Sequence, residues 1–141
     1  MVAHAVQSLS ETLRRTRRWG PAAITGGLLL AGSTVPIPAG VDLDYGRYGP
    51  DRFLHLVGHA GFSAALVAAL DGDRPLANAT LAVGVSTGYG ICTELLQEAV
   101  TGRGFERGDV VAGFVGSVLG AALGDRLAGP GAAGRPVSGR R

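Results

Sequence analysis

The sequence predicts an all-α fold: a polytopic membrane bundle of four transmembrane helices with both termini cytoplasmic. Three observations carry that expectation. Charged residues make up only 17% of the chain and glycine fills 24 of its 141 positions, where a soluble domain has about a quarter charged. Small residues in that number let helix backbones approach closely inside a membrane. The apolar residues gather into four stretches near spanning length, and the arginines are distributed unevenly between the connections.

A spanning helix needs about 20 mostly apolar residues, because each adds about 1.5 Å across a hydrocarbon core of about 30 Å. Residues 19–38 form the first stretch and carry no charge. Pro36, Pro38 and Gly40 then end it, proline by removing a donor and glycine by admitting positive φ. Before it, Val6, Leu9 and Leu13 at helical spacing suggest a short interfacial helix. The basic cluster, apolar run and small residues near Ala39 also resemble a secretory signal, but no clear Ala-x-Ala cleavage pattern follows. Residues 53–70 form the second span, and Asp71-Gly72-Asp73-Arg74-Pro75 a tight turn after it. The third covers 76–93 and continues as a helical pattern toward Val100. Thr101-Gly102-Arg103-Gly104 opens the next turn. The fourth, 110–124, is only 15 residues, roughly 22 Å of helix, so Asp109 and Arg126 must reach the interface or find partners.

Orientation follows from arginine, since the chain has no lysine. Nine arginines (14, 15, 17, 18, 74, 126, 135, 140 and 141) fall on the side of the termini and four (47, 52, 103 and 107) on the other. The positive-inside rule places the richer side in the cytoplasm, and an odd span count would separate the two terminal clusters. The organisation is therefore a cytoplasmic segment 1–18, a transmembrane domain 19–128 and a disordered, Gly/Pro/Arg-rich tail 129–141.

Composition also excludes functions. A nucleic-acid binder would spread its basic residues along a stripe with aromatics between them; here the net charge is +2 and aromatics are 6%. The single Cys92 excludes an internal disulfide and a four-Cys zinc site, and in an apolar helix it reads as a small core residue. The glycines lie inside apolar helices, so no phosphate-binding glycine loop is present. Gly116, Gly120 and Gly124, extended by Ala112, and likewise Gly84 and Gly88, recur every four residues as close-packing stripes. Whether they pack within one chain or between chains is not readable from the sequence. Ser86, Thr87 and Thr93 read as interhelical hydrogen-bond donors. Duplicated halves and broken helices, the usual marks of a transporter, are missing.

The chemistry concentrates in a few ionisable residues. Asp51, His55 and His59 recur every four residues and share one stripe of the second helix. Glu94 and Gln97 share a face of the third, and Asp109 opens the fourth after Arg103 and Arg107. In the predicted orientation all of them reach one level near the outer face. Ionisable groups in membrane segments are costly and mark a function or a pairing. The bland alternatives are headgroup-level charges (Asp51, Glu98, Glu106, Arg107), a helix cap at Asp109, and a purely structural ion pair such as Glu94 with Arg103. His55, His59 and Glu94 offer ligand types suited to zinc or iron, but their spacing specifies no metal, and no cofactor is expected.

The stretch Asp51-Arg-Phe-Leu-His55, then Glu94-Leu-Leu-Gln97, then Gly102-Arg103 with Asp109, and the closing Gly116-Ser-Val-Leu-Gly120, resembles the VanZ-like family over roughly residues 51–124. These are small membrane proteins, one of them associated with low-level teicoplanin resistance. The resemblance implies an integral cell-membrane, cell-envelope protein linked to antibiotic resistance, with Asp51, His55, Glu94, Gln97, Arg103 and Asp109 as its polar signature. Two positions depart from that pattern: Gly113 stands where the family usually has Asn, and His59 where an aromatic is common. The expected function is binding or modification of a membrane lipid or lipid-linked envelope-precursor headgroup, with Arg103 gripping a phosphate or carboxylate. The alternatives are a hydrolase or transferase on lipid-linked headgroups, with His55 or Glu94 as general base, and a partner subunit whose polar groups serve only stability.

Overall fold

The computed structural model describes residues 2–36, 49–70 and 74–128. These form four helices, α1 Val2–Thr34, α2 Pro50–Ala69, α3 Pro75–Gln97 and α4 Arg107–Ala128, and no strands among the described residues. The turn at 71–73, Pro38, Gly40, Arg47 and the tail from 129 lie outside them.

Local chemistry explains the limits of each helix. Pro50 and Pro75 occupy the first helical positions of α2 and α3, where proline's missing N–H costs nothing. Gly102 turns the chain between α3 and α4 at φ 79°, a conformation open mainly to glycine. The N-terminal region differs from expectation: one helix runs unbroken from Val2 to Thr34, with Pro21 inside it. Nothing between Leu13 and Trp19 breaks a helix, and arginine is a good helix former, so the basic cluster continues the helix instead of separating an interfacial piece from a span.

The packing is read from paired positions. Leu56, Ala60 and Ala64 of α2 lie against Gly116, Gly120 and Gly124 of α4. Both numbers rise together, so α2 and α4 run parallel. His55 meets Glu94 and His59 meets Ser86, so α3 runs antiparallel to α2. On the other side, Gly26 faces Phe62 and Leu29 faces Gly58, which makes α1 antiparallel to α2. Tyr89 Oη closes the bundle by donating to the Gly26 carbonyl at 2.7 Å.

The glycine stripe of α4 is the closest contact. A Cβ at Gly116 or Gly120 would collide with the carbonyl oxygen of Leu56 or Ala60. That stripe therefore packs within the chain. The α3 stripe does not: a Cβ at Gly84 or Gly88 would meet nothing within 4 Å, and α3 instead turns Ser86 toward Ser117 of α4.

Burial is inverted relative to a water-soluble bundle. The largest fully buried side chains are His59, Glu94, Thr93, Asp109, Ser63, Ser86 and Ser117. Large apolar side chains point outward from every helix, among them Leu28 (67% exposed), Phe53 (66%), Leu76 (81%) and Val111 (61%). A compact apolar cluster of Ala22, Phe62, Leu66, Val67, Ala82 and Ala121 fills the half of the bundle away from the ionisable groups. Pro50–Ala69 and Arg107–Gly124 are long and apolar enough to cross a membrane. Cys92, expected in the core, is exposed.

Candidate functional site

The ends of three helices and one turn meet at a single place. Asp51 lies in the first turn of α2 and His55 one turn further in, on the same stripe. Glu94 and Gln97 hang from the last turn of α3, both buried. Gly102 reverses the chain so that Arg103 comes back over the cluster, and Asp109 sits in the first turn of α4.

Glu94 is the innermost anchor. It is 0% exposed, and its Oε2 accepts the backbone N–H of Glu106 at 3.0 Å. A carboxylate at that place answers an orphan donor and the positive end of the α4 dipole together. Its other oxygen, Oε1, lies 3.4 Å from His55 Nε2. The same imidazole nitrogen is 3.9 Å from Asp109 Oδ2, so α3 and α4 each aim a carboxylate at one atom of α2.

The arginines hold the outer rim. Arg103 Nη1 lies 3.8 Å from Asp51 Oδ2, and its Nε donates to the Val35 carbonyl at 3.0 Å, tying the end of α1 to the site. Arg52 approaches Asp109 Oδ1 and Glu106 Oε2, each at 3.6 Å. All these charge contacts exceed ordinary hydrogen-bond length. They balance charge while leaving lone pairs open, and Glu94 Oε1, Asp109 Oδ1 and Gln97 Nε2 are buried without a hydrogen-bond partner. Such atoms are rare in folded proteins and call for an explanation.

One turn deeper, His59 belongs to a separate network. Its Nδ1 is 3.0 Å from Ser86 Oγ, the Ser86 and Ser117 hydroxyls are 2.8 Å apart, and Ser117 also donates to the Gly113 carbonyl at 2.8 Å. The ring is slotted between two glycines: a Cβ at Gly90 would lie 2.9 Å from its Cε1, and one at Gly113 3.0 Å from its Cδ2. His59 thus bonds to serine, and the group whose ligand atoms lie within 4.8 Å of one another is Asp51, His55 and Asp109. That differs from the His55–His59–Glu94 set considered from spacing, because Ser86 of α3 engages the His59 ring one turn deeper.

A cavity of about 520 Å³ runs along the α1–α2 seam and ends on Asp51, His55 and Arg103. Its walls are Thr25, Leu28, Leu29, Leu54 and Val57, and Gly32, Gly58 and Gly61 give it width. It is a long apolar slot with one charged end.

Of the six residues singled out from the sequence, Asp51, His55, Glu94, Arg103 and Asp109 are joined by these contacts, and Gln97 is buried on the α3 face beside Glu94. The Glu94–Arg103 pair weighed as a purely structural alternative does not form: Arg103 meets Asp51, and Glu94 turns inward to His55. Ser86 bridges helices as expected, whereas Thr93 bonds its own helix at Gly90 and Thr87 Oγ1 has no partner. Glu98 and Arg107 are exposed. Arg52, the α1 end and Glu106, which reads from the sequence as a headgroup-level charge, were missed as members of the site. For the two side chains the one signal is nearness in sequence to Asp51 and Asp109, and for α1 there is none. No protein-family model, curated protein or solved structure matches the chain.

Proposed function

We propose that the chain is a VanZ-like integral protein of the cell membrane with four spanning helices and cytoplasmic termini, whose polar pocket at the outer face binds a lipid or lipid-linked envelope-precursor headgroup. The inverted burial supports the membrane setting, because outward leucine, valine and phenylalanine side chains on all four helices suit contact with acyl chains and would be a liability in water. The single observation that carries the ligand class is the α1–α2 cavity, apolar along its length and charged at one end. That is the outline of an amphiphile, with the tail against Leu28, Leu54 and Val57 and the headgroup against Arg103 and His55. Arg103 has a planar fork suited to phosphate or carboxylate. The two departures from the family pattern meet each other, since the His59 ring occupies space that a side chain at position 113 would need.

The test is binding of a fluorescent polyprenyl phosphate to purified protein in detergent, for wild type and for His55→Ala, Glu94→Gln and Arg103→Ala. Arg103→Ala is expected to weaken binding at least tenfold, on the order of 1.5–3 kcal/mol for a charge-assisted contact. Unchanged binding in all three variants, at normal protein levels, would remove the pocket from the account.

A hydrolase or transferase is the second reading, favoured by the two buried carboxylates that converge on His55 Nε2. Such an arrangement orients an imidazole for general acid–base work. Release of phosphate or transfer of the headgroup by the pure protein distinguishes it from stoichiometric binding.

A further inference from the structure

We propose that Asp51, His55 and Asp109 hold one divalent cation of the zinc or manganese class, with the Glu94 carboxylate closing on it from beside His55. The first observation is the geometry. The ligand atoms of Asp51, His55 and Asp109 fall within 4.8 Å of one another, and Glu94 Oε1 reaches His55 Nε2 at 3.4 Å from α3. Metal–ligand bonds of about 2.0–2.2 Å in a tetrahedral shell put neighbouring ligand atoms about 3.3–3.6 Å apart. The His55–Glu94 separation already has that value, and the 3.9 Å from His55 to Asp109 closes with a small side-chain adjustment.

The second observation is independent of the clustering. Glu94 and Asp109 are 0% and 2% exposed, yet Glu94 Oε1 has no hydrogen-bond partner, and neither has Asp109 Oδ1, which faces Arg52 Nε at 3.6 Å while Oδ2 faces His55. The other oxygen of Glu94 is committed to the Glu106 N–H, so the free one is the one that points at His55. Buried carboxylate oxygens without donors are stabilised by a bound cation.

Charge points the same way. Among the described residues, the acids Asp51, Glu94, Glu106 and Asp109 outnumber by two the guanidinium groups that contact the cluster, Arg52 and Arg103. One divalent ion supplies that balance. The imidazole nitrogen suits zinc and the carboxylates suit zinc and manganese, whereas magnesium and calcium take shells built from oxygen. The arginine contacts of 3.6 and 3.8 Å to Asp109 and Asp51 leave lone pairs on both acids for the ion.

The inference deepens the headgroup reading and takes the purpose of the site from it, but it is measured without any lipid. The untagged, metal-stripped full chain in detergent is titrated with Zn²⁺ and Mn²⁺ by calorimetry, with Mg²⁺ as the oxygen-preferring control. One Zn²⁺ or Mn²⁺ per chain is expected, bound more tightly than Mg²⁺, with a rise in the melting temperature of the helical signal. His55→Gln and Asp109→Asn should weaken it at least tenfold, the lower bound for groups that support a metal site. Asp51→Asn should do the same, and because its side chain is 51% exposed that variant keeps the fold intact and serves as the decisive case. No binding, binding by Mg²⁺ alone, or binding unchanged in the folded Asp51→Asn protein would overturn the proposal. If polyprenyl phosphate binds with no cation present and none can be titrated in, the cation site falls and the headgroup reading stands. If the cation binds and the lipid phosphate does not, the reverse holds.

Discussion

Replacing Gly116 by alanine tests the packing on which everything else rests. The added methyl would land on the Leu56 carbonyl oxygen, a backbone atom that cannot rotate away. The neighbouring stripe position behaves alike, with Gly120 against the Ala60 carbonyl. At Gly124 the nearest atoms, Ala64 O and Ala64 Cα, stand at 3.1 and 3.2 Å, so a few tenths of an ångström of give would suffice. Gly88 has nothing within 4 Å. Forcing a methyl into a filled contact costs about 1–3 kcal/mol, and relieving it here means separating α2 from α4. Alanine in an open helical position instead gains about 0.5–1 kcal/mol over glycine. The expected order of stability is therefore Gly88→Ala above wild type, then Gly124→Ala, then Gly116→Ala and Gly120→Ala, with about 1.5–4 kcal/mol between the extremes. The double variant Gly116→Ala/Gly120→Ala should lose less than the sum of its parts, because the first methyl already parts the helices. Reversible unfolding in mixed micelles, followed by circular dichroism, reads these differences. Equal shifts for Gly116→Ala and Gly88→Ala would refute the parallel α2–α4 contact.

Gly113→Asn should destabilise by about 1–3 kcal/mol by driving into the His59 ring, and in a His59→Ala background the penalty should shrink, giving a coupling energy of about 0.5–3 kcal/mol in a double-mutant cycle. Tyr89→Phe removes the bond from α3 to the Gly26 carbonyl and should cost about 0.5–1.5 kcal/mol by the same unfolding assay; an unchanged midpoint would show that α1 is not held there. Gly61→Leu should fill the apolar slot without touching the charged end, lowering polyprenyl phosphate affinity while the melting temperature holds. If the phosphate binds as before, the slot is not the tail site.

Much of this arrangement was legible in the chain itself, because it follows from local chemistry. Spans expected at 53–70, 76–93 and 110–124 became helices at Pro50–Ala69, Pro75–Gln97 and Arg107–Ala128, since the apolar runs and their proline and glycine boundaries act over a few residues. The four-residue spacing of Asp51 and His55 and of the α4 glycines likewise survives into three dimensions, because helix periodicity alone places them on one face. The meeting of Asp51, His55, Glu94, Arg103 and Asp109 could be anticipated from helix ends sharing a level.

Tertiary structure alone decided who meets whom at that level. Whether Glu94 pairs with Arg103 or with His55 depends on the rotation of α3 against α2, which no local pattern encodes. Arg52 and Glu106 joined the site for the same reason, and α1 contributed a carbonyl through Val35. The two glycine stripes look alike in the sequence, yet only the α4 stripe is buried within the chain. A glycine repeat records that a helix can be approached closely. Which neighbour approaches, and at what rotation, is a global property of the packed bundle.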